Sequence, residues 1–374
     1  MENIKVFWGS DHKFDDSIGK LDNFFTIGEV LNHIGKTEIS IDGIKSESSS
    51  PLEVNNLIIY TDDYGSLKEW ALLGFSNNVL EHQNICIHNL WLNNPPLKIY
   101  TDICRTYPEK INVYKTEYPI ITIEALKEIA THYSEAVIGQ DNVVHQILSA
   151  LYSLKYNKRK KPVTLLFLGE SGVGKTETAK FISNYIGNEM VRVQFSMQQT
   201  NTAYQFIFGA DHGENSLARE LIRRSSNVVL LDEFDKVHSS FYNAFYQMFD
   251  EGIFIDSNYS VNVENCVIIC TTNYTTEKEA EKHLGTPIYS RFSKIIKFNT
   301  ISIENRIKIA KRNYYEIFAQ LDDEDKMFIL ENQVLRFYIE KIRGGYYKNM
   351  RMLRNDIEDA INFEILKARN IIEI

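Results

Sequence analysis

Two stretches hold residue types at spacings suited to phosphate chemistry: GESGVGKT (169–176) and NVVLLDEFDK (227–236). The first fits Gly-x-x-x-x-Gly-Lys-Ser/Thr, with the apolar run VTLLFLG before it and TETAKFI after it. Gly169, Gly172 and Gly174 let the backbone fold tightly and turn N–H groups toward phosphate oxygens. Glu170, Ser171 and Val173 complete the loop. Lys175 brings a charge to the β and γ phosphates of a nucleotide, and Thr176 offers a hydroxyl to Mg²⁺. The helix that follows points its positive end at the same anion.

In the second stretch, four apolar residues lead to Asp232 and Glu233. A buried strand would carry both carboxylates to the phosphate loop. Asp232 can hold Mg²⁺ through water, and Glu233 can polarise an attacking water as general base. The pair predicts hydrolysis as well as binding of ATP. Asp235 is expected to cap the next helix.

These groups need a scaffold that ends several strands at one edge. VTLLFLG (163–169), VRVQFS (191–196), NVVLLDE (227–233), CVIICTTN (266–273) and KIIKFN (294–299) are strand candidates, separated by helical patterns. Unbroken apolar runs of this kind suit a parallel sheet between helices. The helical period starts at TIEALKEIATHY, with Thr122 as N-cap, so a boundary is expected there. Residues 301–374 read as mostly helical. Residues 1–122 read as short strands with turns: IKVFWG, TEISIDG, NLIIYTDDYG, NICIHNLWL and LKIYTDIC. The last and third share IYTD, through coincidence or two similar strand ends. KSESSSP (45–51) is a loop by composition. The expected fold is thus an α/β nucleotide-binding domain (123–300), a small helical lid (301–374) and a β-rich α+β domain (1–122).

VIGQDNVVHQI (137–147), the two motifs above, HSSFYNAFYQMFDEGIFID, CVIICTTN, PIYSRFSKIIKF and NMRMLRNDIEDAI follow one another in an order that resembles the AAA+ ATPases. Within them the chain is similar to the Clp-type chaperones, above all to the second ATPase module of the disaggregases. The resemblance covers residues 137–365 and implies further roles. Val137 and Ile138 match the segment that cups adenine. Asn273 matches the sensor that places the attacking water. Arg291 matches the arginine finger, which a neighbouring subunit can receive. Arg351 matches the lid arginine that reads the γ-phosphate. An intersubunit finger implies a homo-oligomeric ring, expected to be a hexamer. In FGADHGENSLAREL (208–221) the chain is about six residues shorter than the family. The missing piece corresponds to the aromatic pore loop that grips polypeptide. Asp211, His212 and Glu214 read as a solvated short loop. Phe254 and Tyr259, in the second pore-facing segment, could contact a partner or pack within a hairpin.

Composition narrows the setting. The net charge of −9 argues against broad capture of nucleic acid or of an anionic membrane. The basic run KYNKRKKP reads as a solvated strand entry. No stretch approaches the ~18 apolar residues of a membrane span, and a cytoplasmic location is expected. The four cysteines form no CxxC, which argues against a disulfide scaffold. Cys266 and Cys270 read as buried small hydrophobes. His82, Cys86, His88 and Cys104 match no standard zinc spacing.

Two functions follow from these readings. One is a non-threading switch or scaffold that uses ATP to set its assembly state and controls a partner protein through residues 1–122, for instance in a defence or regulatory system. The alternative is an ATP-dependent protein remodeller. A nucleic-acid-loading ATPase is disfavoured by the acidic balance.

Overall fold

The computed structural model describes residues 1–19, 21, 23–38, 51–156, 160–187, 189–197, 200–329, 331–347 and 349–372. Two parallel sheets organise them. The first is built from β1 (Asn3–Trp8), β2 (Phe24–Thr26), β3 (Leu52–Ile59), β4 (Ile85–Asn93) and β5 (Ile111–Lys115), in the order β2-β3-β4-β1-β5. Every pair in it is parallel. Side chains alternate between two cores. Ile4 and Val6 face one way with Leu57, Ile59, Ile99 and Ile103. Phe7 faces the other way with Ile58 and Trp91, under Phe14 of the helix Asp11–Ile18.

This corrects the expectation of a β-rich α+β domain. Parallel neighbours need crossover connections, so helices must alternate with strands. LKIYTDIC is one of those helices, Leu97–Thr106, and not a strand. Pro96 sits at its N-cap, and Ile99 and Ile103, four residues apart, share its buried side. Only the first IYTD ends a strand, so the two copies have unlike structures. Residues 39–50, which hold most of TEISIDG and of KSESSSP, lie outside the described residues, as do 157–159 of the basic run.

The second sheet comprises β6 (Val163–Leu168), β7 (Val191–Gln194), β8 (Val228–Asp232), β11 (Val267–Thr271) and β12 (Lys294–Lys297), ordered β12-β6-β11-β8-β7. A hairpin of β9 (Ile253–Ile255) and β10 (Ser260–Asn262) precedes β11. All five sheet strands run parallel. Leu165, Phe167, Leu230 and Ile269 fill one face. Leu166, Leu168, Val229, Leu231 and Ile268 fill the other, with Cys266 and Cys270 buried among them. That double burial explains the unbroken apolar runs.

Thr122 caps the helix Ile123–Ala136 by accepting from the Ala125 N–H. The C-terminal helices are Ile303–Gln320, Glu331–Arg343 and Met350–Ala368. Leu353, Ile357, Ile361 and Ile365 form a buried row at four-residue spacing in the last. They join the core beneath Phe167 and Ile269, so the helical part shares its packing with one face of the sheet. Among the described residues, no helix is long and apolar enough to cross a membrane.

Candidate functional site

β6 delivers the chain into the glycine loop at the sheet's carboxyl edge. Gly169, Gly172 and Gly174 adopt φ of 144°, 81° and 105°, a region that side chains avoid. Their lack of Cβ also allows close approach. A Cβ on Gly174 would lie 2.9 Å from Val137 Cγ1, and one on Gly172 would lie 2.9 Å from Asn349 Oδ1. Val137 therefore borders the loop on one side, and the start of the last helix borders it on the other. Asn349 caps that helix, accepting from the Arg351 N–H at 2.9 Å, and the Arg351 side chain is exposed. Ile138 packs half-buried at the rim of the same core.

Lys175 is 8% exposed. Its Nζ donates to the carbonyls of Gly169 (2.6 Å) and Glu170 (2.7 Å), so the loop is wound around its own lysine. Burial pushes its pKa down to about 8, against the pull of Asp232, Asp235, Glu233 and Glu170. Thr176 follows at the start of the helix Lys175–Ile186, half-buried.

One hydroxyl organises the acidic pair. Thr271 Oγ1 donates to Asp232 Oδ1 at 2.6 Å and accepts from the Glu233 N–H at 3.0 Å. Glu233 itself is left-handed, at φ 54° and ψ 47°. That conformation costs a non-glycine residue about 1–2 kcal/mol, and such strain concentrates at working sites. Asp232 Oδ2 accepts from Arg192 at 2.7 Å. Thr176 and Asp232 each offer oxygen donors, the ligand type that a hard cation such as Mg²⁺ takes.

Asn273 is exposed just beyond β11. Its neighbours fix it: the Thr272 N–H donates to Phe167 O (3.0 Å), and Tyr274 O accepts from the Gly169 N–H (2.8 Å). Arg291 stands apart, near the opposite end of β6. Its Nε donates to Asp250 Oδ2 at 2.7 Å, and its guanidinium lies 4.2 Å from the centre of the Tyr246 ring.

Several positions escaped the sequence reading. Arg192, Thr271 and Gln140 lie inside VRVQFS, CVIICTTN and VIGQDNVVHQI, but nothing local marks their side chains as part of the site. Gln140 is fully buried and ties the site together: Nε2 donates to Val173 O (3.0 Å) and Asn299 O (2.7 Å), while Oε1 accepts from the Asn299 N–H. Asp235 does not cap a helix as expected. Its carboxylate is buried with Oδ1 unpartnered, and Oδ2 lies 3.4 Å from Lys236 Nζ.

The shortened stretch keeps Asp211 and Glu214 exposed, as a solvated loop would, but it is tethered. His212 Nε2 contacts Leu67 O at 2.7 Å, and Gly213 lies backbone to backbone against Gly65, so the loop is seated on the N-terminal unit. The second segment is seated there too, since the Leu97 N–H donates to Asn258 O at 2.8 Å. Phe254 and Tyr259 are buried, which resolves their alternatives in favour of packing. His82, Cys86, His88 and Cys104 do not form one cluster. Cys86 and His88 instead stand with Glu53, one potential ligand atom of each within 4.8 Å of the others.

Residues 160–317 match the family "AAA domain (Cdc48 subfamily)". The chain is 27% identical over 274 residues to the chaperone protein ClpB of Malacoplasma penetrans, covering 65% of this chain and 38% of that protein. It is 28% identical over 291 residues to the ATP-dependent Clp protease ATP-binding subunit ClpL of Staphylococcus aureus, covering 71% and 41%. The chain thus spans about two fifths of the length of these relatives. A chain of Hsp104 in a closed-state reconstruction with ATPγS and FITC-casein superposes with a TM-score of 0.54 at 16% identity, over 98% of this chain and 89% of that one, and shows the shared fold. The glycine loop, the acidic strand end and the helical part that closes on them are thus similar to those of the Clp-type AAA+ proteins, with residues 160–317 matching the AAA domain itself.

Proposed function

We propose that the protein binds and hydrolyses Mg²⁺-ATP and works as a ring-forming switch on a partner protein without threading polypeptide. In this reading the N–H groups of the loop 169–174 and Lys175 hold the phosphates, and Val137 and Ile138 line the adenine. Thr176 and Asp232 would hold the ion, which when bound would supply charge neutralisation at the phosphoryl oxygens. Glu233 accepts a proton from the water that attacks the γ-phosphorus, Asn273 orients that water, and ADP leaves. Arg351 reads the γ-phosphate from the lid. Arg291 is lent to the next subunit, so a hexameric ring completes each site.

The observation that favours a switch over a motor is the seating of both substrate-facing segments. The 209–216 loop has no aromatic residue and rests on the N-terminal unit, and Phe254 and Tyr259 are buried. A grip needs exposed aromatic side chains in those places, whereas the exposed ones include Asp211, Glu214 and Ile255. The partner would then be met through residues 1–122.

The second reading, ATP-dependent remodelling of a protein substrate, is favoured by the relatives' names, which include a chaperone and a protease subunit. One experiment separates the two. The purified chain is given ATP and a tagged fluorescent protein, and phosphate release and loss of fluorescence are followed together. The switch reading expects ATP turnover without unfolding. Unfolding that depends on ATP would replace it with the remodeller, and absence of turnover would sink both.

A further inference from the structure

Open parallel sheets take ligands beyond the carboxyl ends of their strands, where adjacent connections leave toward opposite faces. In the N-terminal sheet that place lies between β1 and β4. The helix after β1 packs on the Phe14 side and the helix after β4 on the Ile99 side. The crevice is polar and buried, with Asn93, Asn94 and Thr61 at 0%, 0% and 1% exposure. Asn94 holds both backbone groups of Gly9 at 2.8 Å, and Asn93 donates to Asp11 Oδ1 at 2.7 Å.

Two guanidinium groups of the same chain fill its mouth. Arg223 Nε donates to Asp11 Oδ2 at 2.8 Å and its Nη1 to Asp62 Oδ1 at 2.9 Å. Arg219, 4% exposed, donates to Asp62 Oδ1 at 2.6 Å and to Thr61 O at 3.1 Å. Both arginines come from the helix Leu217–Ile222 and its C-cap, directly after the shortened loop. Beside them a Cβ on Gly65 or Gly213 would come within 3.1 or 2.9 Å of the other's Cα.

We infer that this crevice is a guanidinium-binding site whose resident ligands are Arg219 and Arg223, and that it makes the N-terminal unit a releasable clamp that restrains ATP turnover. The inference rests on the ATPase reading above. The link is short. Arg223 is the C-cap of its helix, and β8, which ends on Asp232, begins at Val228. Arg192, which holds Asp232, lines the same surface cleft as Arg223. While the clamp is closed, the helix, β8 and the Arg192–Asp232 pair keep one arrangement, in which a protein cation engages the carboxylate that Mg²⁺ needs. Opening the clamp frees the helix and the Arg223 side of the cleft that Arg192 lines, so Arg192 can leave Asp232 while β8 stays paired between β7 and β11.

Two unlike variants open it. Asp62→Ala removes the shared acceptor of both arginines, and Gly213→Val drives a side chain against Gly65. Amide hydrogen exchange of the full chain reads the clamp at residues 60–67 and 208–216, and phosphate release reads the site. Exchange there rises about tenfold or more in both variants. ATP turnover rises about fivefold. Faster exchange with unchanged or lower turnover overturns the restraint. Unchanged exchange in both variants overturns the clamp itself. If the unaltered chain has no ATP turnover, the ATPase reading fails, and the exchange measurement alone then decides whether the arginines hold the clamp.

Discussion

Arg192 donates to Asp232 Oδ2 across 2.7 Å, so the carboxylate proposed to hold Mg²⁺ already faces a cation of the protein. The two charges compete for one oxygen. Arg192→Ala should therefore lower the magnesium concentration that half-saturates ATP turnover, by about threefold for a partly exposed pair. A magnesium titration at fixed ATP reads the shift. A rise in the midpoint would mean that Arg192 positions the carboxylate and does not compete for it. Loss of this pair should cost the fold no more than about 1 kcal/mol, since the arginine is over a third exposed.

Lys175 gives the site a pH dependence of defined sign. Burial lowers its folded pKa to about 8, and a bound phosphate requires the charged form. The ligand-free loop loses that charge as pH rises from 7 to 9, so ATP affinity should fall about tenfold over that range. Fluorescent-nucleotide titrations at the two pH values check this. Stability moves the other way. The unfolded lysine keeps its proton to higher pH than the folded one, so the native state gains as pH rises from about 8 toward 10.5. Urea melts across that window should show a contribution of this sign.

Gly172 separates the phosphate loop from the cap of the last helix. It combines φ 81° with a 2.9 Å approach to Asn349 Oδ1 for any added Cβ. Gly172→Ala should cost about 1–3 kcal/mol and weaken nucleotide binding, because either the loop or the helix cap must shift. Gly344→Ala is the comparison. A Cβ there meets its nearest atom at 3.5 Å, ordinary contact, and the melting temperature should barely move. Equal effects of the two substitutions would remove the steric basis of this prediction.

Arg291 and Glu233 should complement one another between subunits. Arg291→Ala should lower turnover about a thousandfold, as should Glu233→Gln with ATP binding retained. Mixing the two inactive proteins before assembly should restore part of the activity, since some interfaces then join an intact Glu233 to an intact Arg291. Mixtures that stay inactive, in rings shown to contain both chains, would place the finger elsewhere.

The nucleotide half was readable because its chemistry is local. GESGVGKT states its own turn, and VVLLDE states a buried strand with acids at its end. The partners of those residues were not readable. Thr271, Arg192 and Gln140 are single polar residues that acquire meaning only when β11, β7 and the segment after Val137 reach the same place. The N-terminal third misled for a different reason. Its β-branched and aromatic content favours strands by propensity, yet Pro96 and the four-residue spacing of Ile99 and Ile103 make LKIYTDIC a helix that covers one. The destination of the shortened loop was hidden by distance, with Asp62 and Arg219 157 residues apart.

β6 carries Gly169 just past one end and holds Arg291 near the other. Thr164 Oγ1 donates to Arg291 O at 2.9 Å and accepts from the Ser293 N–H at 2.9 Å. From Thr164 to Gly169 the strand spans roughly 16 Å, packed on both faces, and such a segment cannot stretch. On the proposed reading it would act as a stiff rod between the phosphates of its own subunit at one tip and, at the other, the Arg291 guanidinium that rests on Asp250 and Tyr246. A push delivered at Gly169 would then reach the Arg291 backbone through Thr164. In a closed ring each subunit would thereby report its nucleotide state to one neighbour and hear from the other, so information would circulate in a single direction.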